Sequence, residues 1–164
     1  MFENIIKNVH NRHPLIHCIT NYVSINDCAN IVLACGGAPI MAEDINEVSQ
    51  ITSICQGLDI NIGMLNDNKL SSMLKAGATA NELGIPVILD PVGAGSSDYR
   101  IKAVQNLMSN VQFGVIRGNV SEIKAIAAKQ GIHNIAAGVY ETMQKNKSAM
   151  GVEAGIADKI TDDN

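Results

Sequence analysis

Two places in the chain set a charged side chain at the end of a β-branched apolar run and follow it with glycine. The first is Pro86-Val87-Ile88-Leu89-Asp90-Pro91-Val92-Gly93-Ala94-Gly95. The second is Phe113-Gly114-Val115-Ile116-Arg117-Gly118-Asn119, with Glu122 shortly beyond. Runs of this kind read as short buried strands, and open α/β sheets take their ligands beyond the carboxyl ends of the strands. A carboxylate there suits a metal ion. A guanidinium offers a planar fork that matches phosphate oxygens, and glycines let backbone N–H groups come close to an anion. The combination points to phosphate handling. Each residue also has a plainer reading. Asp90 before Pro91 can simply end a strand, Arg117 can make a surface ion pair, and Asn119-x-x-Glu122 ahead of Ile123 and Ile126 is close to a capping box.

The elements that must position these residues alternate along the chain. Residues 2–12 read as a helix with Phe2, Ile5, Ile6 and Val9 on one face, ended by Pro14. Leu15–Ile19 reads as a strand. Ser24 is a candidate cap for a helix over 25–35, expected to bury Ile25, Cys28, Ala29, Ile31, Val32 and Cys35 and to close at Gly36-Gly37. A short segment Pro39–Ala42 follows, then a helix near 45–56 and a strand Leu58–Ile62. Helices are expected at 67–83, 97–110 and 119–130, with strands at 86–89 and 113–116 between them. Such alternation predicts a mostly parallel sheet covered by helices. Residues 132–150 are assigned weakly to helix and Gly151–Asp158 to a loop. Thr161-Asp162-Asp163-Asn164 resembles the capped start of a further helix, so the fold is expected to be incomplete at its C-terminus.

Composition narrows the class. At 164 residues the chain is expected to form one domain, 1–164. With 46% hydrophobic and 17% charged residues it is globular, and with no Trp its core must be aliphatic. A net charge of −4 disfavours nucleic acid as a partner. No apolar stretch reaches the roughly 20 residues a bilayer requires, and Met1-Phe2-Glu3-Asn4 does not read as a signal peptide. A cytoplasmic protein is expected, with the sequons at Asn119 and Asn146 unused. Cys18, Cys28, Cys35 and Cys55 form no C-x-x-C pair and match no metal-ligand spacing. Cys28, Cys35 and Cys55 are expected in apolar faces. His13, His17 and Cys18 are close in sequence, but on a strand their side chains do not converge, which disfavours a zinc site.

The ordered motifs Pro14–Asn21, Gly37–Ala42, Asn61-Ile62-Gly63, Pro86–Gly95 and Arg117-Gly118-Asn119 with Glu122 resemble the hydroxyethylthiazole kinase family of the ribokinase-like superfamily. Gly151–Gly155 is a weaker match. The resemblance implies a ribokinase-like α/β fold flanked by helices on both faces. It implies transfer of the ATP γ-phosphate to the alcohol of 4-methyl-5-(2-hydroxyethyl)thiazole, in thiamine salvage, with Mg2+. It implies metal contacts by Asp90 and Glu122, ATP contacts by Arg117 and Asn119, and thiazole contacts by Asn21, Met41 and Gly63. Met41 alone would read as core. A homotrimer with sites near subunit boundaries is also implied. The family continues beyond Asn164, where its anion hole and catalytic base are expected. Two alternatives are a shortened, non-catalytic thiazole-binding protein and a related hydroxymethylpyrimidine kinase. A dinucleotide-binding domain is disfavoured because no G-x-G-x-x-G follows the first strand.

Overall fold

The computed structural model describes residues 2–129. The readings made for 132–164, including the weaker motif at Gly151–Gly155, lie outside the described residues. The chain divides into two compact units, Met1–Ile126 and Ala127–Asn164. The described residues form the first unit, apart from the last turn of its final helix.

Strand and helix alternate throughout: α1 (Phe2–Arg12), β1 (Leu15–Ile19), α2 (Ile25–Ala34), β2 (Ala38–Ile40), α3 (Val48–Ser53), β3 (Gly57–Asn61), α4 (Asp67–Glu82), β4 (Val87–Asp90), α5 (Asp98–Asn110), β5 (Val115–Ile116) and α6 (Val120–Lys129). The five strands form one sheet in the order β2-β1-β3-β4-β5, and every pairing is parallel. The order reverses direction between β1 and β3, the switch point at which such sheets open a crevice.

One face of the sheet is dry. Ile19, Leu58, Ile60, Val87 and Leu89 pack there against Met73, Ala76 and Ala80 of α4 and Val104 and Leu107 of α5, all essentially without solvent exposure. The opposite face carries the alternate residues Cys18, Asp59, Ile88, Asp90 and Val115. Helix α2 covers its β1 end, whereas Ile88 and Val115 are 40% and 52% exposed.

The helix over 25–35 forms as expected but buries less. Ile25, Cys28, Ala29 and Val32 are only half-buried, and Ile31 and Cys35 are exposed. On α1, Ile5 and Ile6 are likewise exposed. An apolar repeat marks the side of a helix that prefers contact, but burial requires an element opposite it. Ser24 stands at the α2 N-cap without a side-chain cap; its own N–H instead donates to Asn21 Oδ1 at 3.0 Å. Helix α3 and β5 are each shorter than expected.

His17 is fully buried on the dry face, and Cys18 points to the other. The His17 ring lies 2.8 Å from the Ala42 carbonyl through Nε2 and 2.9 Å from Thr52 Oγ1 through Nδ1. Burial pushes its pKa down, with the Ala42 carbonyl and Glu47 opposing. Nε2 donates to the Ala42 carbonyl, and Nδ1 shares Thr52 Oγ1 with the Val48 carbonyl, to which the Thr52 hydroxyl donates at 2.7 Å. His13 reaches the Gly36 carbonyl at 3.1 Å instead, which leaves no zinc site at His13, His17 and Cys18. The His17 link ties the segment after β2 to β1. Replacing Thr52 with valine removes the partner of the buried Nδ1, and should lower unfolding free energy by about 1–3 kcal/mol in urea titrations. An unchanged midpoint would show that the ring is held by other means.

Candidate functional site

Parallel strands bring their carboxyl ends to one edge, and all seven residues singled out from sequence lie along it. Asn21 follows β1, Met41 follows β2, Gly63 follows β3, Asp90 ends β4, Arg117 follows β5, and Asn119 and Glu122 open α6. Short-range contacts gather most of them into two adjoining groups.

The first group sits at β4 and β5. Arg117 Nη1 donates to Asp90 Oδ2 at 3.0 Å, and its backbone N–H continues the ladder to the Leu89 carbonyl at 2.9 Å. The Arg117 side chain is 78% exposed and that of Asp90 15%. An ion pair with one partner so exposed stabilises by no more than about 1 kcal/mol, so the fold does not depend on this guanidinium. Glu122 accepts from two backbone amides: Gly93 N–H at 3.0 Å on one oxygen and Asn119 N–H at 2.8 Å on the other. Asn119 Oδ1 accepts in turn from the Glu122 N–H at 3.0 Å. The expected capping box is therefore present, and the same carboxylate tethers the glycine-rich loop after β4. Gly93, at φ +67°, adopts a left-handed conformation that favours glycine.

The second group sits at β1 and β3. Asn21 Nδ2 donates to Asn61 Oδ1 at 3.1 Å, and the Gly63 N–H donates to the same oxygen at 2.8 Å. A Cβ on Gly63 would lie 2.8 Å from Asn21 Nδ2 and 2.9 Å from Asn61 Oδ1. Only glycine fits without displacing both amides. Asn61 also hydrogen-bonds Asp90 and so connects the two groups. Met41 is half-buried beyond β1, next to the Ala42 carbonyl that His17 holds.

Electrostatics at the β4 end favour a cation. Burial is the largest influence on Asp90 and raises its carboxyl pKa; Glu122 adds to this, while Arg117 and the Asn61 hydrogen bond act against it. The Asp90 carboxylate, near enough to Glu122 to feel its charge, supplies hard oxygen donors of the type magnesium accepts, and magnesium needs only one or two carboxylates beside phosphate oxygens and water.

Three positioning residues escape sequence reasoning. Asn61 lies within a recognised motif but carries no role there. Arg100, on α5, donates from Nη1 to the carbonyls of Ile62 (2.6 Å) and Val92 (2.9 Å) and from Nη2 to that of Gly63 (2.8 Å). Lys69, on α4 and 4% exposed, donates to the Thr20 carbonyl, pairs with Glu43 at 2.8 Å and lies 4.9 Å from the Tyr22 ring centre. Burial works against the Glu43 carboxylate, but Lys69 and Tyr22 hold its pKa below the usual value. A groove of about 590 Å3 lined by Glu43, Ile45, Asn66, Lys69 and Ser72 opens beside this clamp. It does not include the seven residues.

The sheet order and its polar carboxyl edge define an open, parallel α/β protein of the class that takes ligands where its strands end. Comparison with known proteins identifies the family. The model of the hydroxyethylthiazole kinase family matches residues 6–161, and the chain belongs to that family. It is 53% identical to a hydroxyethylthiazole kinase of Clostridium acetobutylicum, over 99% of this chain and 54% of the relative. It is 58% identical to one of Alkaliphilus metalliredigens, over 76% of this chain and 46% of the relative. The solved structure of a hydroxyethylthiazole kinase protein from Pyrococcus horikoshii superimposes with a TM-score of 0.76 at 39% identity, covering 81% of this chain and 52% of that one. The chain thus spans about half the length of the relatives it matches. Among the described residues, no helix is long and apolar enough to cross a membrane.

Arg100 satisfies three carbonyls in the loops after β3 and β4, so its loss should be felt at both. Arg100→Met is expected to cost about 2–4 kcal/mol, since hydrogen bonds to charged groups each contribute roughly 1.5–3 kcal/mol. Arg100→Lys should recover only part of it, because an ammonium lacks the fork. Chemical denaturation of the three proteins checks this. A methionine variant as stable as the parent would contradict it.

Proposed function

We propose that this chain provides the substrate- and metal-holding part of a kinase that transfers the ATP γ-phosphate to the hydroxyl of 4-methyl-5-(2-hydroxyethyl)thiazole, in thiamine salvage. The observation that carries the reading is the pairing of Asp90 with Arg117 at neighbouring strand ends, beside a glycine-rich loop that Glu122 tethers. Family membership supplies the substrate class.

In this reading Asp90 and Glu122 hold Mg2+, which when bound neutralises phosphate charge as the phosphoryl group moves. Arg117 and Asn119 bind the ATP phosphates. Arg117 suits this because its guanidinium is mostly exposed and anchored only at one side, leaving donors for a second anion. Asn21 and Gly63 border the thiazole site. The Asn21 amide is already oriented by Asn61 and by the Ser24 N–H, and the bare Gly63 backbone permits close approach. Met41 offers a polarizable thioether to the sulfur-containing ring. Phosphoryl transfer depends mainly on positioning and charge stabilisation, and these residues supply both. The group that activates the substrate hydroxyl is assigned to family positions after Asn164. A cytoplasmic homotrimer, with no nucleic-acid partner, completes the proposal.

Release of ADP from ATP and Mg2+ by a protein that continues through the family positions after Asn164, measured with and without hydroxyethylthiazole, tests the reading. Thiazole-dependent release is expected, with Asp90→Asn lowering kcat at least about 100-fold while thiazole still binds. Saturable thiazole binding without ADP release would favour the non-catalytic alternative. Preference for a hydroxymethylpyrimidine would favour the sister kinase.

A further inference from the structure

The cysteines show no metal-ligand spacing in sequence, yet the fold brings two of them together with a carboxylate. Cys18 of β1 lies directly across from Asp59 of β3 in the parallel register. Cys28, in the first half of α2, approaches the same point from above the sheet. The two sulfurs and an Asp59 oxygen all lie within 4.8 Å of one another. Cys18 is 2% exposed, and Cys28 and Asp59 are half-buried. This is the face opposite His17, and the group is separate in residues from the Asp90 and Glu122 pair.

Asp59 is the informative member. It is a carboxyl in the middle of a strand, and among the described residues no side chain donates a hydrogen bond to it. Being only half-buried, it keeps its oxygens within reach of a ligand arriving from solvent. Burial pushes its pKa up to about 6, Asp90 adds to the rise and Arg117 opposes it. The thiols of Cys18 and Cys28 are raised as well, again by burial first, and Asp59 contributes to both. Three groups whose anionic forms each resist burial therefore share one small space. A bound divalent cation favours all three anions together.

We infer that Cys18, Cys28 and Asp59 form a binding site for a thiophilic divalent cation of the zinc class, with the fourth tetrahedral position open. Zinc holds sulfur at about 2.3 Å and carboxylate oxygen at about 2.0–2.2 Å, which sets tetrahedral ligands roughly 3.5–3.8 Å apart. Closing the observed group to that geometry takes about 1 Å of side-chain adjustment. The Cys18 thiol reaches the Ile16 carbonyl at 3.7 Å and hydrogen-bonds the Cys28 thiol, and thiols are weak donors, so little is given up when a metal takes both sulfurs. Binding releases the thiol protons to solvent and favours soft ions over magnesium. The site thus selects a different class of metal from the Asp90 edge.

Titration of the reduced, metal-stripped full chain with Co2+ tests the inference, because cobalt bound by cysteine thiolates gives an intense near-ultraviolet charge-transfer band. One Co2+ per chain should produce the band, and Zn2+ should abolish it by displacement. Cys28→Ala, at a half-buried helix position, should remove the band and weaken Zn2+ binding at least about tenfold. Asp59→Asn should weaken binding while keeping a thiolate signal, and Cys35→Ser should change nothing. Absence of a saturable band in the parent chain, or a band that survives Cys28→Ala, would overturn the assignment. A circular-dichroism spectrum matching the parent keeps the Cys28 result interpretable.

Discussion

The functional edge depends on one guanidinium that never needs to touch a ligand. Where parallel strands end, the ladder stops and carbonyls are left facing one another without donors. Arg100 reaches from α5 to take three of them, from Ile62, Gly63 and Val92. It thereby fixes the loop after β3 relative to the loop after β4. Asn21 and Gly63 stand on one side of that junction and Asp90 and Gly93 on the other. Lys69 repeats the device one strand over, joining the segment after β1 to the Glu43 segment after β2. Both clamps rise from the helices of the dry face, so the hydrophobic core itself sets where they stand.

The edge residues are arranged differently. Asp90 carries a carboxylate that burial disfavours, and its ion-pair partner is largely in solvent. Such a pair adds little to stability. Its arrangement is useful when something negative and something doubly positive bind together, because the arginine and the carboxylates then each gain a partner. Glu122 has a double duty that follows from its geometry. By accepting from Gly93 and Asn119 it holds the glycine loop against the start of α6, so that any ligand held there meets a loop already in place.

Much of this was legible in the chain before the fold was known. The apolar runs ending in Asp90 and Arg117 read as strands because β-branched residues and flanking glycines favour no other element at that length. A parallel sheet then sends both charges to one edge. The Asn119–Glu122 box is a local pattern, and local patterns survive folding. Partners distant in sequence were less visible. Arg100 and Lys69 look like ordinary polar positions on amphipathic helices, since nothing local records that their heads meet loop carbonyls. The Cys18–Asp59 contact depends on the register between β1 and β3, which periodicity does not specify. Helix α2 shows the converse: its apolar repeat predicts burial, but Ile31 remains exposed because no described element faces it.

The ends of β4 and β5 are proposed to hold a magnesium nucleotide. Calorimetric titration with a non-hydrolysable ATP analogue, in the presence and absence of Mg2+, tests it most directly. Binding is expected to require Mg2+ and to weaken at least about tenfold in Arg117→Met, where a charged hydrogen-bonding partner is removed at little cost to the fold. Equal affinity in the parent and the Arg117→Met protein, or binding indifferent to Mg2+, would contradict it.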